Sequence, residues 1–533
     1  MNALNRFFDR IPGWKLFSLL AVCALILSFY HLSGRFLFSG DETRVAGIIR
    51  GMFLPGPLFL PRLNGTAFLE YPPLYYWGGA FFMSVFGVCA AAAKAMSALS
   101  FFASILLTYA LARKLEFSKG ASFAAGIMLG FSISFFLTGR TCIVDMTLCC
   151  MVLLAVFGFY SGMTEKKLCP RIIYYILYTA GTAGAIMTKG LLGLALPGVV
   201  LFFTLLFRDI RERKLHWKEW LILAGCSLVA LIPVGLWLAE LYYSLGSRDF
   251  CEVVYSNNIG RFTGSQKDHA VPFYYYLQRL PQLFQPWLLL IPFGLFALCR
   301  KFRREADPAA LFLLCAFLAP LLLLTVSAGK RIVYLIPVYP AMALTAATGL
   351  FFLLDLVGEK ISEEKLTARL PFIGLIVLFL LTAGSIVLPV LKPDFYGWAV
   401  LPLLSAVSGI VLFFRKKTVA AWVMFLLAFS FFLPWAEGTL PHRFSRDRDL
   451  TSLFQRVSEL ENRGEKIYLY EPIERIHGAA VYYQGKLMPI RKQETYDGKS
   501  REIWLLRKKG DRKTPARYGD GFHLVRMPDQ TEL

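Results

Sequence analysis

Long apolar runs alternate with short polar connections along most of this chain, and their spacing is the first constraint on the fold. A helix needs roughly twenty apolar residues to cross a hydrocarbon core, and connections on the cytoplasmic side collect Lys and Arg. Together the two rules place about thirteen spans. They fall at residues 15–34, 93–112, 120–138, 145–162, 172–188, 190–207, 219–242, 283–299, 308–327, 334–354, 370–391, 398–414 and 419–436. The basic connections then share one side: Arg113-Lys114, Lys166-Lys167, 208–218, 300–304, 360–369 and Arg415-Lys416-Lys417. Residues 73–88 are apolar but short for a span, and counting them as one would invert every later basic loop. Rich in Tyr and Trp, they are expected to form an interfacial or re-entrant helix. In this scheme the N-terminus is cytoplasmic and the C-terminal end lies outside.

The apolar rhythm stops near residue 436. Beyond it an amphipathic helix is expected at 450–462, with Leu450, Leu453, Phe454, Val457 and Leu460 on one face. Strands are expected at 466–470, 480–483, 503–506 and 522–525. The expected organisation is a transmembrane catalytic region at 1–436, with outer loops 35–92 and 243–282, and a small outer α+β domain at 437–533. At the other end Arg6, Arg10 and Lys15 precede an apolar run with no small-residue cleavage site, the pattern of an uncleaved anchor.

Composition agrees with a polytopic α-helical membrane protein. Of 533 residues 56% are hydrophobic and 15% aromatic, and the mean hydropathy is +0.53. Only +4 of the formal charge of +21 belongs to residues 437–533, so the excess sits on the membrane region and its loops. That distribution fits loops facing anionic membrane lipids, and no nucleic-acid-binding motif accompanies it. The ten cysteines are scattered, mostly within apolar runs, with neither a disulfide framework nor zinc-ligand spacing.

Candidate chemistry gathers on the side opposite the basic loops. Gly40-Asp41-Glu42-Thr43-Arg44 follows the first span, and Glu70-Tyr71-Pro72-Pro73 lies further along the same loop. Arg140 and Asp145 bracket a short turn, while Lys189-Gly190 and Lys330-Arg331, followed by Tyr334, stand at joins between spans. Arg261, Lys267 and His269 lie in the long outer loop. Asp41 is also suited to cap a helix running from Glu42 to Met52, and Asp145 to cap the helix that begins there. Pro72-Pro73 hold the chain extended and so fix the direction of Glu70. Any single Lys or Arg here is accounted for by contact with lipid head groups. As a set beside three carboxylates they form a phosphate clamp suited to displacement of a phosphate leaving group. The run 180–185 of Ala, Gly and Thr is expected to pack closely against another helix. Walker, dinucleotide and zinc-peptidase motifs are absent, so an activated substrate must arrive already energised.

The chain resembles the GT-C fold glycosyltransferases that use lipid-linked sugars, most closely the bacterial branch with the lipid A aminoarabinose transferases, and more distantly the protein O-mannosyltransferases. The resemblance rests on Asp41 to Arg44, Pro61-Arg62-Leu63, Glu70-Tyr71-Pro72, Tyr76-Trp77, Asp145, Met187-Thr188-Lys189-Gly190, Ile259 to Phe262, Pro272 to Tyr276, Gly329-Lys330 and Tyr334, in order. It implies a polyprenyl-phosphate sugar donor and inverting transfer at the periplasmic face of the bacterial inner membrane. It also implies that Asp41 and Asp145, with Glu70, are the acidic centre. Arg44, Lys189, Arg261, Lys330, Arg331 and Tyr334 are then expected around the donor phosphate, together with Tyr71. Two positions depart from the aminoarabinose branch: Tyr71 stands where that branch has Lys, and Asn258 where its outer loop has His. No metal ligand carries over, and a divalent metal stays open. The expected partners are the lipid-linked donor, a lipid or glycan acceptor and membrane lipids, with no nucleic acid, for a chain acting as a monomer. Lipid A or another lipopolysaccharide-related glycolipid is the expected acceptor. A protein acceptor, or a flippase moving the intact lipid-linked sugar, are the competing readings; a flippase would need charges near the bilayer midplane and an inverted repeat.

Overall fold

The computed structural model describes residues 8–37, 40–53, 55–63, 66–247, 250, 271–279, 283–327, 329–358, 380, 396–415 and 417–444. Within 459–532 it describes 459, 463 and five strands. The chain begins with α1 (Gly13–Phe29), α2 (Gly40–Phe53), a small hairpin β1 (Arg62–Leu63) and β2 (Thr66–Ala67), and α3 (Leu74–Phe86). There follow α4 (Ala90–Lys114), α5 (Lys119–Gly130), α6 (Ile133–Gly139), α7 (Asp145–Thr164), α8 (Leu168–Lys189) and α9 (Leu191–Glu212). Next come α10 (Trp217–Ala230), α11 (Ile232–Leu245), α12 (Tyr275–Arg279), α13 (Ile291–Glu305) and α14 (Pro308–Val326). A 3₁₀ turn (Ile332–Val338), α15 (Tyr339–Gly358), α16 (Tyr396–Phe414) and α17 (Thr418–Phe444) follow.

Among the described residues seven helical segments are long and apolar enough to cross a membrane, and α5 with α6 makes an eighth if a span may bend by 64°. The apolar α1 and the stretch Val400–Phe414 are shorter. The multi-pass helical character follows directly from the apolar rhythm. Three boundaries differ from expectation. The first helix stops at Phe29 rather than near residue 34, because the carbonyls of Leu27, Ser28 and His31 turn to accept hydrogen bonds from the Arg140 guanidinium. The helix expected at 283–299 starts later, as α13, after a 3₁₀ turn at Trp287–Leu290. The helix α17 runs through to Phe444, so the division drawn at 437 falls inside it. Residues 73–88 form the short helix α3 as expected. The span expected at 370–391 and the helix expected at 450–462 lie outside the described residues, apart from single positions.

In the C-terminal region the strands β3 (Ile467–Leu469), β4 (Met488–Pro489), β5 (Ile503–Lys508), β6 (Phe522–Met527) and β7 (Thr531–Glu532) form one sheet in the order β4-β3-β5-β6-β7. β3 is parallel to both neighbours, and β5, β6 and β7 run antiparallel. Three of the expected strands are present within a residue or two of their limits, whereas 480–483 lies outside the described residues.

The helices share a large apolar core in which α7 is almost entirely buried. A second apolar cluster, built from α2, α3 and the start of α4, supports the first loop through Val45, Ile49, Tyr75, Tyr76 and Ala93. Basic connections meet one another at one end of the bundle. Lys119 donates to the Asp9 carbonyl at 3.2 Å, Lys114 pairs with Glu165 at 3.5 Å, and Arg211 reaches the Arg303 carbonyl at 3.5 Å. The described residues within 35–77, the 139–145 turn, and the joins at 189–190 and 330–331 gather at the other end, where they touch one another.

The antiparallel pair α7 and α8 packs closely along its length. A Cβ at Gly181 would lie 2.6 Å from the Ala155 nitrogen and 2.8 Å from the Met151 oxygen, and one at Gly158 2.5 Å from the Tyr178 nitrogen. Backbone faces backbone here, as the small-residue run 180–185 suggested. Gly181→Val is therefore expected to destabilise the chain by about 1–3 kcal/mol through overpacking. A thermal-unfolding midpoint in detergent equal to that of the parent would contradict this.

Candidate active site

Asp41 lies in the first turn of α2, one residue inside the helix rather than capping it, and there it complements the helix dipole. One turn along, the Arg44 guanidinium donates to Asp41 Oδ1 at 2.9 Å and stands 3.5 Å from Glu70 Oε2. A second cation arrives from far along the chain: Arg331 forms an ion pair with Asp41 Oδ2. Glu70 is directed by Pro72 and Pro73, both buried. The loop beneath is held by two indole donors, Trp77 to the Leu58 carbonyl at 2.6 Å and Trp237 to the Phe59 carbonyl at 2.7 Å.

Asp145 is the first residue of α7 and Lys189 the last of α8. These helices have 20 and 22 residues and run antiparallel, so the start of one lies beside the end of the other. An anion at a helix N-terminus and a cation at a C-terminus are each favoured by the helix dipoles. Lys189 Nζ donates to Asp145 Oδ1 at 2.5 Å. The next residue, Gly190, has φ +63° and ψ −141°, a conformation that favours glycine and lets the chain reverse straight after the lysine. Lys189 Nζ also lies 4.2 Å from the centre of the Tyr334 ring and 5.7 Å from that of Tyr71. Burial, with Glu70, Tyr334 and Asp145 nearby, keeps the Tyr71 phenol well above its ordinary pKa despite Lys189, so it is neutral at physiological pH.

Behind this open tier lies a buried one. Arg35 donates twice to Glu42, at 2.7 and 2.9 Å, and also pairs with Glu437 of α17. Arg140 donates to the other Glu437 oxygen at 3.1 Å and, as noted, to the end of α1. Lys94, near the start of α4, donates to the Leu32 carbonyl at 3.4 Å and to the Arg35 carbonyl. Burial opposes charge on Glu42, yet Arg35 and Lys94, with the Cys142 N–H, hold its carboxyl below the usual glutamate range.

The residues proposed from sequence mostly meet. Asp41, Arg44, Glu70 and Arg331 form one chain of ion pairs, and Asp145, Lys189, Tyr71 and Tyr334 the adjoining group. Lys330 stands at the same join as Arg331. It is buried with its ammonium donating to the Val271 carbonyl at 3.2 Å, and it is the neighbouring Arg331 that faces Asp41. Arg261, Asn258, Lys267 and His269 lie outside the described residues. Sequence reading did not foresee the roles of Arg35, Glu42, Lys94 or Glu437. A lysine within an otherwise apolar run was the one available sign, since such a charge needs a partner. Among the described residues no group of three or more His, Cys, Asp or Glu side chains could hold a metal ion.

Glu42 yields a pH prediction. Because its folded pKa is depressed, its contribution to stability is fully present above the ordinary glutamate value of about 4.3 and is lost only as pH falls through the lower, folded value. The stability gap between the parent and Glu42→Gln should therefore be flat from neutral pH down to about 4.3 and close only in stronger acid. Unfolding midpoints measured across that range check it; a gap that closed between pH 7 and 5 would contradict the depressed value.

The family model described as dolichyl-phosphate-mannose-protein mannosyltransferase matches residues 70–237. An uncharacterised protein of Aquifex aeolicus is 28% identical over 435 residues, spanning 80% of this chain and 81% of the relative. The undecaprenyl phosphate-alpha-4-amino-4-deoxy-L-arabinose arabinosyl transferase 2 of Proteus mirabilis is 28% identical over 330 residues, covering 62% of this chain and 58% of that protein. Among solved structures, ArnT from Cupriavidus metallidurans bound to undecaprenyl phosphate superposes with a TM-score of 0.69 at 22% identity, covering 93% of each chain. The sequence likenesses and the shared fold together support reading the chain as an ArnT-like glycosyltransferase of the GT-C type.

Proposed function

We propose that this chain moves a sugar, with inversion, from a polyprenyl-phosphate donor to an acceptor at the periplasmic face of the bacterial inner membrane. The donor carrier is undecaprenyl phosphate, the lipid named for its relatives, and the acceptor is lipid A or another envelope glycolipid. One observation carries the reading. Two carboxylates that start helices, Asp41 and Asp145, lie in one cluster with three cations, Arg44, Arg331 and Lys189. That combination suits departure of a phosphate and attack by a hydroxyl.

In the proposed reaction the acceptor hydroxyl gives its proton to the Asp41 carboxylate while its oxygen forms a bond to the anomeric carbon. The bond from that carbon to the phosphate oxygen breaks, and its electron pair leaves with the polyprenyl phosphate. Asp41, whose side chain keeps 32% of its exposure, is open to such an acceptor, whereas that of Asp145 keeps 8%. Arg44, Arg331 and Lys189 neutralise charge on the leaving phosphate. Asp145 aims Lys189, Glu70 aims Arg44, and Tyr71 and Tyr334 wall the ammonium. The proposed topology has the basic end of the bundle in the cytoplasm with the N-terminus. About thirteen spans then leave the C-terminal residues outside as a small α+β domain. The chain is proposed to act as a monomer.

Purified protein incubated with radiolabelled polyprenyl-phosphate sugars and an envelope lipid extract should transfer label covalently without ATP. Movement of intact donor with no transfer would favour a flippase instead. Mass spectra of lipid A from cells with and without the protein then name the product. Asp41→Asn should lower turnover with a hydroxyl acceptor by about 10²–10⁴-fold, and unchanged turnover removes Asp41 as the base.

A further inference from the structure

We infer that Glu42 and Glu437 are positioning residues which, acting through Arg35 and Arg140, set the separation of Asp41 and Asp145. The inference rests on the reading of Asp41 and Asp145 as the reacting and orienting acids. Glu42 follows Asp41 directly, and its side chain is fully buried while that of Asp41 stays open. Its Oε1 accepts both the Arg35 guanidinium at 2.7 Å and the backbone N–H of Cys142 at 3.2 Å. Cys142 belongs to the turn that ends at Asp145. One carboxylate thus joins the helix that carries Asp41 to the turn that carries Asp145. Arg35 ties the same turn a second time, through the Arg140 carbonyl at 3.2 Å and Thr141 Oγ1 at 3.4 Å.

Glu437 closes the arrangement from α17. One of its oxygens takes Arg35 and the other takes Arg140, so α17 clamps the two arginines together. Arg140 in turn holds the end of α1. Arg35, Glu42, Arg140 and Glu437 are all buried, the most exposed at 9%. A substrate at Asp41 does not reach them, so their effect on the reaction passes through the acids they place. Reactions of this kind are sensitive to such placement, since a displacement of about 1 Å can cost about 10²-fold in rate.

The test compares the full-length parent with Glu42→Gln and Glu437→Gln in detergent. Steady-state transfer is measured on the folded fraction, alongside hydrogen exchange of peptides covering 40–53 and 139–145. Both variants should lose about 10- to 100-fold in kcat while the donor KM stays within about threefold, because the cations facing the phosphate are untouched. Exchange should quicken in the 139–145 peptide of both, including Glu437→Gln, whose change lies on a distant segment. Parental kcat in the folded variants, or a loss confined to donor KM, overturns the inference, as does unchanged exchange. If either glutamine variant does not fold, Arg35→Lys carries the same test, since it keeps the charge and loses the two-pronged contact with Glu42. A parent chain that transfers nothing would sink the proposed function, and the exchange comparison alone would then decide the clamp.

Discussion

Charge buried out of reach of water must be paired, and the cluster of Arg35, Glu42, Arg140 and Glu437 turns that requirement into architecture. Removing one partner from such a cluster typically costs about 3–5 kcal/mol, because the other is left stranded. A pairing this demanding dictates where whole segments can go. Arg35 must stay beside Glu42, Arg140 beside the carbonyls that end α1, and Glu437 against both arginines. The first loop, the 139–145 turn and α17 are therefore held at one end of the bundle by a single set of bonds. Apolar packing can bring helices together without fixing their register as tightly, since it is non-directional.

The open tier inherits its geometry from this buried one. Two antiparallel helices of nearly equal length deliver Asp145 and Lys189 to the same point, and close glycine contacts keep their backbones from sliding apart. Asp41 arrives on a helix anchored by its neighbour Glu42 on one side and by the apolar cluster around Tyr75 and Ile49 on the other. Arg331 then enters from the join before the 3₁₀ turn. The site is assembled from short connections, but each is attached to a rigid element, which is how loops can hold reacting groups in register.

Much of this was legible in the chain itself. Apolar runs of about twenty residues announce their helices, and the split between basic and acidic connections separates the two ends of the bundle. Asp41, Glu70, Asp145, Lys189 and Arg331 stood out because ionisable groups beside apolar runs need a reason to be there. What the pattern did not hold was pairing at long range: Arg35 and Glu437 are 402 positions apart. Nor did it show that, of Lys330 and Arg331, both expected around the donor, Arg331 is the one paired with Asp41. That choice depends on how the 3₁₀ turn after them is oriented, and a short turn carries no periodic signal strong enough to show it. The early end of α1 was hidden for the same reason, since the group that stops it, Arg140, comes from another part of the chain.

Lys189 is enclosed by a carboxylate and two aromatic faces, with little room left for a hydration shell. An anion drawn to this ammonium competes with Asp145 rather than with solvent. When that anion departs, the old contact is waiting to re-form, so neither loading nor unloading leaves a bare charge behind. In the proposed reaction the ion pair is thus a place-holder that keeps the site electrically balanced.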